Sequence, residues 1–160
     1  MSTPNPYAPP QAALKDAPPA AGSAVKAVVL GLLTDVGGTL AAVVLIMFVY
    51  GIVLGASGVR QEEIAAAVNV DFASTDSGWF YVGAVIGLGF SLLGGYVCAR
   101  IARRSEMKLG AIMALLSAGL GLAMGSDQMQ LGTNLSMTLA TLIAVMAGAR
   151  LGQKKNQGTK

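Results

Sequence analysis

VKAVVLGLLTDVGGTLAAVVLIMFVYGIVLGA, residues 25–56, contains only two charged side chains, Lys26 and Asp35. At ~1.5 Å per residue a helix over the whole run would be roughly 48 Å long, against a hydrocarbon core of about 30 Å. A membrane-spanning helix accounts for such a run, because a segment in lipid must satisfy its backbone polar groups within itself. The surplus length means either a strong tilt or an extension out of the bilayer. The polar group Thr34, Asp35, Gly37, Gly38 and Thr39 favours an extension at the N-terminal end. The span is therefore drawn at about 30–56, with residues 36–56 crossing the hydrocarbon and residues 25–35 cytoplasmic or interfacial.

Three further apolar runs cover residues 78–100, 108–125 and 131–151. The second span opens on Gly78-Trp79-Phe80-Tyr81, which places Trp and Tyr where an interfacial aromatic belt is expected. The third is short and reaches across if its flanks dip inward. Between the first two spans lies a loop, residues 57–77. Its segment from Arg60 to Val68 is built of good helix formers with Ile64 and Val68 one turn apart, which predicts a short surface helix over 60–69. The fold class is all-α: a four-transmembrane-helix bundle within residues 24–152, followed by a polar tail, residues 153–160.

Residues 1–23 carry all six prolines and few apolar side chains, so a disordered cytoplasmic tail is expected. Within it, Asn5-Pro6-Tyr7-Ala8-Pro9-Pro10 resembles the Pro-rich N-terminal tails of small bacterial inner-membrane proteins.

Composition narrows the chemistry further. The chain is 54% hydrophobic and 12% charged, about half the charge of an ordinary soluble domain. A net charge of +3, with the basic residues beside apolar runs, is not a nucleic-acid signature. There is no His and a single Cys, Cys98, which falls inside a span and reads as a small buried hydrophobe. Histidine-dependent triads are excluded, and zinc, haem or copper ligation is not expected. Glu62 and Glu63 are adjacent and would diverge on a helix, which does not suit paired acid–base work. Gly87-Leu88-Gly89 lacks a third glycine and lies in a span, so it is no dinucleotide fingerprint. No catalytic residue, cofactor or metal is expected, and the chain reads as non-enzymatic.

Orientation follows from Lys and Arg near span ends. With both termini inside, Lys15, Lys26, Arg100, Arg103, Arg104, Lys108, Arg150, Lys154, Lys155 and Lys160 are cytoplasmic, and of 11 basic residues only Arg60 is outside. The outer loops instead hold Glu62, Glu63, Asp71, Asp76 and Asp127.

Small residues recur every four positions in the spans. The second gives Gly83, Gly87, Ser91, Gly95 and Ala99; the fourth gives Ser136, Ala140, Ala144, Gly148 and Gly152. Lipid gives helices little hydrophobic reason to associate, so close backbone approach along such rows supplies the contact. The rows read as seams of the intramolecular bundle; the alternative is that one of them joins copies of the chain. The exits of spans two and four also match, Cys98-Ala99-Arg100-Ile101-Ala102 against Gly148-Ala149-Arg150-Leu151-Gly152. Two parallel-repeat helical hairpins would produce that match, and so would convergent membrane-exit chemistry. The segment Leu93-Gly94-Gly95-Tyr96-Val97-Cys98-Ala99-Arg100 resembles stretches of uncharacterised, small, Gly-rich four-helix bacterial inner-membrane proteins. The resemblance implies that fold and membrane, and carries no chemistry with it.

Asp35 is the one charged residue set well inside an apolar run, and an intramembrane carboxylate is a functional candidate by default. It either binds a proton or cation, or sits at the interface and pairs with Arg100 or Arg150. The span hydroxyls Thr34, Thr39, Ser91, Ser117, Ser136, Thr138 and Thr141 are expected to bond back to their own helices. No span contains proline, and Gly37-Gly38 is the place where one could loosen. The leading expectation is a structural or accessory membrane component, with the bilayer and a membrane-protein partner or a second copy around it. The alternative is a small transporter or channel using Asp35.

Overall fold

The computed structural model describes residues 22–125 and 130–158, and every element among them is helical. Helix α1 is Ala24–Leu32, followed by a π-helical turn, Leu33–Gly37, and by α2, Gly38–Ala56. Then come α3 (Gln61–Ala73), α4 (Gly78–Ala102), α5 (Glu106–Gly125) and α6 (Leu131–Gln157). The α1–π–α2 run is one continuous helix, Ala24–Ala56; it, α4, α5 and α6 are long and apolar enough to cross a membrane, so the protein is membrane-embedded. Most of the Pro-rich tail, the turn carrying Asp127, and Lys160 lie outside the described residues.

Local chemistry sets the ends. The Ser23 hydroxyl accepts the Lys26 amide at 3.3 Å and that of Ser77 accepts the Trp79 amide at 3.2 Å, satisfying open donors at the starts of α1 and α4. Helix α4 stops at Arg103, whose φ of 50° is left-handed, and Ser105 at 55° completes the turn into α5. Helix α3 continues one turn beyond the expected 60–69, to Ala73. Helix α6 runs through the polar tail to Gln157, where the Asn156 amide donates to the Ala99 carbonyl at 3.0 Å.

The first helix runs antiparallel to α4. Gly31 backs onto Gly94 and Cys98, Thr39 meets Gly87, and the Tyr50 ring lies 4.4 Å from that of Trp79. Residues 24–50 thus lie alongside α4, and only the last turn and a half projects past it, where Gly51 and Gly55 pack on Ile64 of α3. Residues 25–35, expected to extend from the span, pack on their neighbours. Ala27, Gly31 and Asp35, spaced by four, form a narrow buried face against α4 and α5.

Helices α4 and α6 run parallel and cross closely. A Cβ on Gly95 would overlap the Val145 carbonyl, one on Gly148 the Leu92 carbonyl, and one on Gly152 would stand 2.8 Å from the Ala99 Cβ. Helix α5 runs against α6, with Gly110 on Ala149, and beside α1, with Met113 on Gly31. Its buried residues Gly110, Met113, Ala114, Ser117 and Ala118 make a single helical stripe. The core gathers in this half of the molecule: Ala27, Cys98, Ala102, Met113, Ala114 and Val145. Of the α4 row, Gly95 and Ala99 lie at the α6 contact, Ser91 turns to Asp35, and Gly83 and Gly87 line a cavity. Of the α6 row, Gly148 and Gly152 lie at the contact, Ala140 and Ala144 are half-buried, and Ser136 is exposed. Helix α2 buries none of its residues; Leu40, Val44, Phe48, Ile52 and Val53 face outward, as a lipid-facing helix requires.

Candidate functional site

Asp35 lies inside the π turn, where a wider loop of backbone is inserted into the helix. The turn ends at the Gly37-Gly38 pair, and a Cβ on Gly38 would strike the Phe90 ring. Just before Asp35, the Thr34 hydroxyl donates to its own helix at the Leu30 carbonyl, 2.8 Å away. Asp35 itself points inward and is 3% exposed.

Two serines hold its carboxylate. The Ser91 hydroxyl of α4 donates to Oδ1 at 2.7 Å, and the Ser117 hydroxyl of α5 donates to Oδ2. Ser91 and Ser117 are 4% and 7% exposed, so three helices meet at one buried polar point near the middle of α4 and α5. Gly94 makes the room: a Cβ there would lie 2.8 Å from the Asp35 Cβ. Among the described residues no buried side-chain polar atom is left without a partner, and Asp35 forms no ion pair.

The pairing with Arg100 or Arg150 is therefore corrected. Ser91, level with Asp35, precedes Arg100 by nine residues on α4, roughly 14 Å along the axis. Arg100 instead donates from Nη1 to Asn156 Oδ1 at 3.1 Å, and the Asn156 amide also reaches Glu106 Oε1 at 3.4 Å. These groups tie the ends of α4, α5 and α6 together. Arg150 is exposed.

The expectation for the hydroxyls divides. Thr34, Ser136 and Thr138 do bond back to the carbonyls of Leu30, Gly132 and Asn134, each at 2.8 Å. Ser91 and Ser117 do not; they reach across to Asp35. A signal for them was present in the sequence, since each is the only Ser or Thr in its helix. A lone hydroxyl among Gly, Ala and Leu is where a bond between helices can form.

Asp35, Ser91 and Ser117 form the deep end of a cavity of about 410 Å³. It follows α4 from Ser91 to Phe80, between α2, α5 and α6, and its far end is bounded by Phe72 of α3, Met124 and Asn134. The walls are mainly aliphatic and aromatic, with the hydroxyls of Thr39, Thr138 and Thr141 and the Asn134 amide among them. Beyond Asp35, on the side of Gly31, Gly94 and Met113, the helices touch too closely for the cavity to continue.

Aromatic rings gather at the Phe72 end. Phe72 lies 5.8 Å from Trp79 and 6.3 Å from Tyr50, centroid to centroid, and the Tyr50 hydroxyl donates to Asp71 Oδ2 at 2.5 Å. This contact docks α3 onto the long first helix.

One carboxylate supported by hydroxyls can hold a proton or a single positive charge. Among the described residues no three His, Cys, Asp or Glu side chains come together as a metal site would require. Compared with family models, curated proteins and solved structures, the chain matches none.

Proposed function

We propose that the protein is a four-span bundle with both termini cytoplasmic, in a bacterial inner membrane, whose function is to bind and move a positively charged species through the Asp35 site. The observation that carries this reading is a carboxylate buried level with the helix middles, held by serines of two other helices at the floor of a cavity. A charge at that depth is costly in lipid, and two hydroxyl dipoles offset only part of the cost. A purely structural component would be more stable with an apolar residue there.

The helix directions fit four successive crossings, and the basic residues favour the orientation with both ends cytoplasmic. The first helix runs against α4, α5 against α6, and α4 alongside α6, as four successive crossings require. Parallel α4 and α6 also suit a duplicated hairpin, with Gly95 and Val145, offset by the same fifty positions as Cys98 and Gly148, in direct contact. In this orientation Asp35 stands at the cytoplasmic end of the cavity, beside the Gly31–Gly94–Met113 packing, and Phe72 and Asn134 at its other end. The bundle needs no enzyme chemistry for such a role.

Proteoliposomes loaded with a pH-sensitive dye test the reading. Under an imposed cation or proton gradient, the native protein gives flux and Asp35→Asn gives none; equal flux from both removes the transport role. Orientation is read from single cysteines at Ser57 and Gln153 in a Cys98→Ala background. Impermeant maleimide added to whole cells labels the first and spares the second.

A further inference from the structure

We infer that the species bound at Asp35 is a monovalent organic cation with a bulky apolar body, its charge at the carboxylate and its body along the α2–α4–α5–α6 cavity. The inference rests on the proposed Asp35 site and adds the chemical class of its ligand.

Charge is the first argument. Among the described residues Asp35 is the single carboxylate lining the cavity, and no Lys or Arg of theirs pairs with it. A buried charge without a counter-ion favours a ligand that brings one, and here one positive charge balances the site. A second charge on the ligand would meet only hydroxyls and an amide among the described lining residues.

Coordination is the second. A divalent hard cation takes six or more oxygens, mostly from several carboxylates or from retained water. Both Asp35 oxygens already accept from serine hydroxyls, and the remaining walls are dominated by groups such as Val36, Leu40, Leu88 and Leu120 that ligate nothing. An ammonium or phosphonium centre needs no such shell. Its charge is spread over attached carbons, and approach to the carboxylate edge is sufficient.

Size and lining are the third. At about 410 Å³ the cavity falls within the range of small-molecule sites, far larger than a bare ion needs. Its apolar length, from Ser91 to Phe80, would be poorly used by a proton or sodium ion and well used by a hydrocarbon or aromatic body. The polar groups are few and placed at particular points, as in sites that fix a ligand's orientation.

The Phe72 end of the cavity supplies a readout. Trp79 is the only tryptophan of the chain and stacks on Phe72, which lines the cavity. The test is titration of the purified full-length protein in mild detergent with tetraphenylphosphonium, followed by Trp79 fluorescence and by calorimetry. Tetraphenylborate, of the same shape and opposite charge, and sodium are titrated in parallel. Saturable tetraphenylphosphonium binding that falls at least tenfold in Asp35→Asn, with no saturable tetraphenylborate binding, is expected. Arg60→Gln, on the exposed loop, should bind as the native protein does. Saturable binding of both tetraphenyl ions, or phosphonium binding indifferent to Asp35, overturns the inference. Asp35-dependent sodium binding or proton flux without phosphonium binding also overturns it while leaving the Asp35 site standing. Loss of every Asp35 dependence removes both.

Discussion

Ser91 and Asp35, 56 positions apart in the chain, meet at 2.7 Å through a hydroxyl-to-carboxylate hydrogen bond that joins two antiparallel helices. With Ser117 on the other oxygen, this bond fixes the position of the only charged group that lines the cavity among the described residues. Most of what the protein is expected to do, and several of its structural responses, follow from that contact.

Replacing Asp35 by Asn should abolish cation binding without unfolding the protein. The amide keeps nearly the same volume and one acceptor, while the buried charge is removed. The melting temperature in detergent is expected to stay level or rise, because functional carboxylates in apolar surroundings are held at the expense of stability. A thermal scan beside the binding titration checks both halves; a fall of many degrees would make Asp35 a structural keystone instead.

The two serines should act through Asp35. Hydrogen bonds to a charged group contribute about 1.5–3 kcal/mol each. Ser91→Ala and Ser117→Ala are therefore each expected to destabilise the native protein by about that amount. In an Asp35→Asn background each should matter less, by about 1 kcal/mol or more of coupling. Denaturant titration of the double-mutant cycle measures it, and additive effects would mean that the serines serve the helices independently.

Glycines should divide by what faces them. Gly95→Ala drives a methyl into the Val145 carbonyl, a backbone group that moves only if α4 and α6 separate. A loss of about 1–3 kcal/mol is expected from such overpacking. Gly119 has open space where its Cβ would go, so Gly119→Ala should be neutral or gain up to about 1 kcal/mol in helix propensity. Paired melting curves of the two variants provide the comparison.

Tyr50→Phe removes the hydrogen bond to Asp71 and keeps the ring against Trp79 and Phe72. Helix α3 should then open more readily while the membrane helices keep their protection. Hydrogen exchange over residues 61–73 is expected to speed up about tenfold or more, in line with a hydrogen bond of about 1.5 kcal/mol or above. Unchanged exchange would mean that the rings alone hold α3 in place.

Much of the architecture could be read from composition and spacing. The apolar runs located four long helices to within six residues of their ends, because the length needed to cross hydrocarbon is a property of the helix alone. Helix α3 was legible from its helix formers, and Gly37-Gly38 marked where the backbone departs from α-geometry. The depth of Asp35 was not legible. Thr34, Asp35 and Thr39 look alike on a hydropathy plot whether they lie at an interface or at a buried crossing. What separates the two cases is the register between the first helix and α4, which small side chains at Gly31 and Gly94 decide.

The sequence by itself determined which segments are helices, that four of them suit a bilayer, and that one carboxylate would stand among apolar residues. Those properties depend on side-chain chemistry along a single helix. Tertiary structure alone decided that Asp35 turns from Arg100 to Ser91 and Ser117, and that half of the small-residue row on α4 opens onto a cavity. Each of these depends on how two or three helices slide against one another. A helix whose neighbours are chosen by contact between glycines, rather than by burial from water, does not carry its register in its own hydropathy.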